Sequence, residues 1–153
     1  FGIGLGTVIT LDLVAIVITG RVIEPPELSA LTSGAAAWLW VLLAVHIVVL
    51  QPVAEELVFR GVLFPALAAA QNVWLSIFVS GALYGFFHQL LYTYPAQDVA
   101  FGWWYTLAEP LIAGVVFSFL RAGTGSTGAA IAAHVGVGVF GLLKTMLIVG
   151  VLS

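Results

Sequence analysis

Apolar runs long enough to cross a bilayer fill this chain, and they limit its fold more than any motif does. A transmembrane helix takes about 20 mostly apolar residues. The sequence supplies such runs from about Gly2 to Gly20, Ala35 to Ala70, Val73 to Tyr92, Trp104 to Leu120 and Gly128 to Leu152. Only 7% of residues are charged and 62% are hydrophobic, against about 25% charged and 45–50% apolar in a soluble domain. Mean hydropathy is +1.18. The expected fold is all-α: a polytopic membrane helix bundle of about five transmembrane helices, forming a single integral membrane domain over residues 1–153. The second run is too long for one upright span and has no loop inside it. Pro52 in its middle should kink it, removing a backbone hydrogen bond and opening a cavity.

Several function classes fall away on composition. The chain has no cysteine, hence no disulfide, no thiolate metal site and no cysteine nucleophile. A net charge of −3 without a basic cluster gives no reason to expect nucleic acid as a partner. No serine or threonine stands in a G-x-S-x-G setting, which argues against a serine hydrolase. The first run lacks a basic n-region and a small-residue cleavage site, so it is read as a retained span of a longer chain. Connections are polar at Arg21–Gly34, with Glu24, Pro25, Pro26 and Glu27, and glycine-rich at Arg121–Thr127. An interfacial aromatic belt is expected around Tyr92, Tyr94, Pro95, Asp98, Trp103 and Trp104. Arg60 and Arg121 fall towards the side bearing the N-terminus, which leans towards a cytoplasmic N-terminus against Arg21 on the other side.

Charge is costly inside lipid, at least ~2.5–3.5 kcal/mol per uncompensated group at the bilayer centre. The run Glu55-Glu56-Leu57-Val58-Phe59-Arg60-Gly61 therefore demands explanation. Glu56 and Arg60 are one helical turn apart and share a face, so they are read as a structural ion pair. Glu55 points about 100° away from Glu56 and has no local cation. The other intramembrane polar residues are Asp12, His46, His88, Glu109, His134 and Lys144. Of these, His88 and His134 suit acid–base work with a buried carboxylate, whereas packing or hydrogen bonding is the reading for His46. Gly2, Gly4 and Gly6, and likewise Gly136, Gly138 and Gly141, are read as close helix contacts.

Three motifs in order carry a family resemblance. Glu55–Arg60 resembles the E-E-x-x-x-R motif of the CAAX prenyl protease and bacteriocin-processing family of intramembrane proteases. Tyr84-Gly-Phe-Phe-His88 resembles its F-x-x-x-H motif, with Tyr for Phe, and Phe117–Ser126 leading to His134 resembles its last block. The resemblance covers about residues 50–138. It implies a multi-pass protein of a prokaryotic cell membrane, an endopeptidase in which Glu55 and His88 activate water, His134 stabilises the oxyanion, and Glu56 and Arg60 orient the helix. It implies no cofactor, and a peptide or protein substrate, prenylated or membrane-anchored. One position departs: the family usually has Asn four residues after this histidine, where the chain has Gly138. Losing one oxyanion donor costs about 10²–10³ in rate in other enzymes, so a slow or inactive enzyme is expected unless another donor serves. Three alternatives remain: a zinc metalloprotease using His88, His134 and an acid; a non-catalytic scaffold, as in bacteriocin immunity; and a small transporter, for which no repeat is visible.

Overall fold

The computed structural model describes residues 1–22, 36–92 and 102–148. Among the described residues five helices are long and apolar enough to cross a membrane: α1 (Gly2–Thr19), α2 (Trp38–Ala70), α3 (Val73–Leu91), α4 (Trp104–Thr124) and α5 (Thr127–Ile148). Among the described residues there is no strand. The chain is an all-α, multi-pass integral membrane protein. The acidic loop with Pro25 and Pro26, and Tyr94, Pro95 and Asp98 of the aromatic connection, lie outside the described residues.

One boundary differs from the sequence expectation. Helix α4 continues to Thr124, so the turn placed at Arg121–Thr127 shrinks to Gly125 and Ser126. Gly125 makes this possible at φ 67°, its N–H bonding the Arg121 carbonyl at 3.0 Å. At the other end of the bundle-side turn between α2 and α3, Asn72 caps α3 by accepting from the Leu75 N–H at 2.8 Å.

Proline shapes both interrupted helices by one rule. The disturbance expected at Pro52 takes the form of a π-wound stretch, His46–Leu50, just before it. Pro65 is preceded in the same way by Leu57–Leu63, and Pro110 in α4 by Trp104–Ala108. A proline lacks an N–H and its ring presses on the carbonyl four residues back; widening the turn relieves that pressure. In each case the last N–H before the proline bonds five residues back: Gln51 to His46, Phe64 to Phe59 and Glu109 to Trp104. The carbonyls of Ile47 and Arg60 thereby lose their usual helical donors. Arg60 recovers two others, the Arg121 Nε at 3.2 Å and the Thr127 hydroxyl at 3.5 Å. Arg60 and Arg121 are thus joined through that carbonyl.

The bundle is apolar outside and partly polar inside. Val17 and Leu90, each 84% exposed, point outward, where lipid would cover them. Ser76, Ser80, Ser118, Glu56 and Arg60 are wholly buried. Small residues let α3 and α4 approach closely: Gly81 lies against Val115, and Gly85 against Leu107 and Leu111. On α1 only Gly4 makes such a contact, with Ala133 of α5; Gly2 and Gly6 face open space, as does Gly141. Those three do not serve the packing role read for them. An ion pair between Asp12 and Lys144, 2.7 Å apart, ties α1 to α5.

Candidate active site

Two carboxylates adjacent in the chain reach different partners because they leave the helix at different angles. Glu56 accepts from Arg60 Nη1 at 3.0 Å, both residues being fully buried. The Arg60 Nη2 donates to the Gly114 carbonyl at 2.6 Å, and its guanidinium lies 4.6 Å from the Tyr84 ring centre and 5.4 Å from that of Phe117. This aromatic enclosure shields the pair expected from the i,i+4 spacing.

Glu55 faces the other way, into a group of side chains from α2, α3 and α5. Its Oε2 accepts from the Tyr84 hydroxyl at 2.6 Å and its Oε1 from the Gln51 amide at 2.9 Å. The Gln51 amide also reaches the Tyr92 hydroxyl at 2.9 Å. His88 Nε2 stands 3.6 Å from Glu55 Oε2, and His134 Nε2 stands 4.0 Å from the same oxygen. The structure therefore brings Glu55, His88 and His134 together from three helices, with Glu56 and Arg60 directly behind.

Hydrogen bonding assigns the ring protons. His88 Nδ1 lies 3.1 Å from the Tyr84 carbonyl, which can only accept, so in the neutral ring Nε2 is the acceptor facing Glu55. His134 Nδ1 lies 3.1 Å from Glu56 Oε1, an oxygen already bonded to Arg60. A carboxylate in that position accepts as well, so His134 donates from Nε2 only as the imidazolium. In that form Glu55, Glu56, Arg60 and His134 sum to zero charge. The His134 ring is itself fixed by stacking on Phe117, with centres 5.0 Å apart.

A cavity of about 320 Å³ adjoins this group. Tyr84, His88 and His134 line it, and Glu55 stands behind them. Apolar walls come from Val8, Leu43, Ile47, Ala113 and Val137, while Glu109 and Lys144 add polar groups. His46, read as a packing or hydrogen-bonding residue, is exposed and borders this cavity. Asp12 holds Lys144. Among the described residues no group of three or more His, Asp or Glu is arranged to hold a metal ion.

Gly138 lies on the cavity wall against the Ile47 carbonyl, the one displaced by the turn before Pro52. A side chain there would run into that backbone. The vacancy left by the usual Asn is therefore closed at its base. Sequence reasoning missed two contacts of Glu55. Gln51 was legible as its i−4 neighbour; the Tyr84 hydroxyl showed only as a departure from Phe.

Helices and site together define a polytopic membrane protein with a buried glutamate–histidine centre beside an apolar cavity. The family comparison agrees: residues 36–140 match the type II CAAX prenyl endopeptidase Rce1-like family, and the chain belongs to it. The match encloses all three motifs. No curated protein and no solved structure matches the chain.

Proposed function

We propose that the protein is an intramembrane endopeptidase in which Glu55 and His88 activate water against a peptide bond held in the cavity. The observation that carries this reading is the convergence of Glu55 Oε2 and His88 Nε2, 3.6 Å apart. Both atoms are acceptors in the arrangement above, and that spacing is too long for a direct hydrogen bond. A water donating to the pair would be oriented with its lone pair free for attack. The water oxygen bonds to the scissile carbonyl carbon, its proton passes to Glu55, and the C=O π electrons move onto the carbonyl oxygen. Collapse re-forms the C=O bond and breaks C–N, and the proton held by Glu55 passes to the leaving amine.

The supporting residues hold this geometry. Gln51 and Tyr84 fix both oxygens of Glu55, and the Arg60–Glu56–His134 chain fixes the second histidine. The apolar walls suit a lipid-bearing or membrane-anchored peptide, in keeping with the prenyl substrates named in the family's description. We propose a metal-independent reaction, in which Glu55, held by the Tyr84 hydroxyl and the Gln51 amide, takes the proton from water directly.

The experiment is product mapping. Purified protein in liposomes is given a C-terminal reporter peptide with a prenylated cysteine, and the same peptide without the lipid. Internal cleavage of the prenylated peptide, identified by mass, is expected at the higher kcat/KM. Equal cleavage of both would remove the lipid-bearing substrate, and cleavage of neither would favour a non-catalytic scaffold.

A further inference from the structure

We infer that the Tyr84 hydroxyl is a catalytic oxyanion donor in this protein, an inference that rests on the endopeptidase reading. Two donors commonly share the charge that develops on the carbonyl oxygen in acyl transfer. His134 Nε2 can supply one only as the imidazolium, since Nδ1 serves Glu56. Within one turn of His134 the last helix offers no second side-chain donor, because Val135 and Val137 carry none and Gly138 abuts the Ile47 carbonyl. Tyr84 answers this need by position. Its hydroxyl lies 2.6 Å from Glu55 Oε2 and 3.4 Å from His134 Nε2, on the wall of the cavity.

The chemistry gives Tyr84 a reason to change partners during the reaction. At rest its O–H donates to the Glu55 carboxylate. When Glu55 takes the proton from water, that oxygen loses its charge and becomes a poorer acceptor. At the same moment negative charge appears on the carbonyl oxygen. Rotation about the phenol C–O bond turns the hydrogen from one oxygen to the other, and no proton or electron leaves Tyr84. Collapse of the intermediate reverses the turn. The hydroxyl thus favours the transition state over the bound substrate, which is the condition for raising kcat. The two departures from the family pattern, Tyr84 and Gly138, line the same cavity.

The test separates oxyanion binding from mere orientation of Glu55. Wild type, Tyr84→Phe, Glu55→Gln and the double variant are reconstituted in liposomes. Each is assayed for cleavage, for binding of a phosphinic peptide that mimics the tetrahedral oxyanion, and for binding of an uncleavable ground-state peptide. Tyr84→Phe should lower kcat/KM by about 10²–10³-fold and weaken phosphinate binding by a similar factor. It should leave ground-state binding within about twofold, and the phosphinate loss should persist in the Glu55→Gln background. If Tyr84→Phe folds poorly, a ring-fluorinated tyrosine at position 84 keeps the shape with a more acidic phenol, and should move the alkaline limb of the kcat profile to lower pH. An unchanged phosphinate affinity, a loss that vanishes in Glu55→Gln, or an unmoved limb would overturn the inference. A wild type that neither cleaves nor binds the phosphinate would instead remove the endopeptidase reading beneath it.

Discussion

The carbonyl of Ile47 fills the space beside Gly138 that a side chain would need. Glycine at this position is thus tied to the π turn before Pro52, which displaces that carbonyl from the helical ladder. The family's usual Asn at this position would restore an oxyanion donor only if its side chain had room. The structure provides no such room. Gly138→Asn should destabilise the protein by about 1–3 kcal/mol, the usual cost of overpacking, and should not speed cleavage. Thermal unfolding in detergent, alongside turnover, checks this. A variant that melts like wild type and cleaves faster would show that the helices can part.

Arg60→Ala should be severe for stability. It leaves Glu56 buried without its cation and takes away the donor to the Gly114 carbonyl. Breaking a buried pair from one side costs about 3–5 kcal/mol. Arg60→Lys should rescue little, because an ammonium cannot span Glu56 and Gly114 with a planar fork. Denaturant midpoints for both variants provide the measurement; an unchanged midpoint for Arg60→Ala would contradict the pairing.

Gln51 should act as a positioning residue. Its amide holds Glu55 Oε1 on one side and the Tyr92 hydroxyl on the other. A hydrogen bond to a charged group contributes about 1.5–3 kcal/mol, so Gln51→Leu should lower kcat by roughly tenfold to a hundredfold. KM should hardly move, since the residue does not grip the scissile bond. A change confined to KM would place Gln51 in substrate binding instead.

The Asp12–Lys144 pair should be a matter of joining helices rather than of chemistry. Asp12→Asn and Lys144→Met should each lower the melting temperature, while the double variant should recover part of the loss, because no charge is then stranded. Additive losses in the double variant would show that the two residues are not coupled.

How much of this was legible in the sequence depended on distance along the chain. The Glu56–Arg60 pair follows from i,i+4 spacing and the cost of charge in lipid, so it was visible directly. His88 and His134 could be assigned only through motif order, since no local rule brings α3 and α5 to Glu55. The five spans followed from apolar length, yet the turn after α4 was drawn too long because Gly123 and Thr124 read as loop residues. Prolines 52, 65 and 110 were plain in the sequence, but the π turns they cause, and the carbonyls those turns displace, belong to helix geometry that apolar periodicity does not report. Asp12 and Lys144 sit at opposite ends of the chain, and only the packing of α1 on α5 reveals their pairing.

The most direct measurement is cleavage of the prenylated reporter in reconstituted membranes by wild type and Glu55→Gln, each with and without a metal chelator. Glu55→Gln keeps the shape of the side chain and its place between Gln51 and Tyr84, while removing the base. Wild type should cleave equally well in chelator, and Glu55→Gln should be inactive in either condition. Equal turnover by Glu55→Gln would contradict the role of Glu55. Loss of wild-type activity in chelator, restored by stoichiometric zinc, would replace direct water activation by Glu55 and His88 with a metal-dependent reaction.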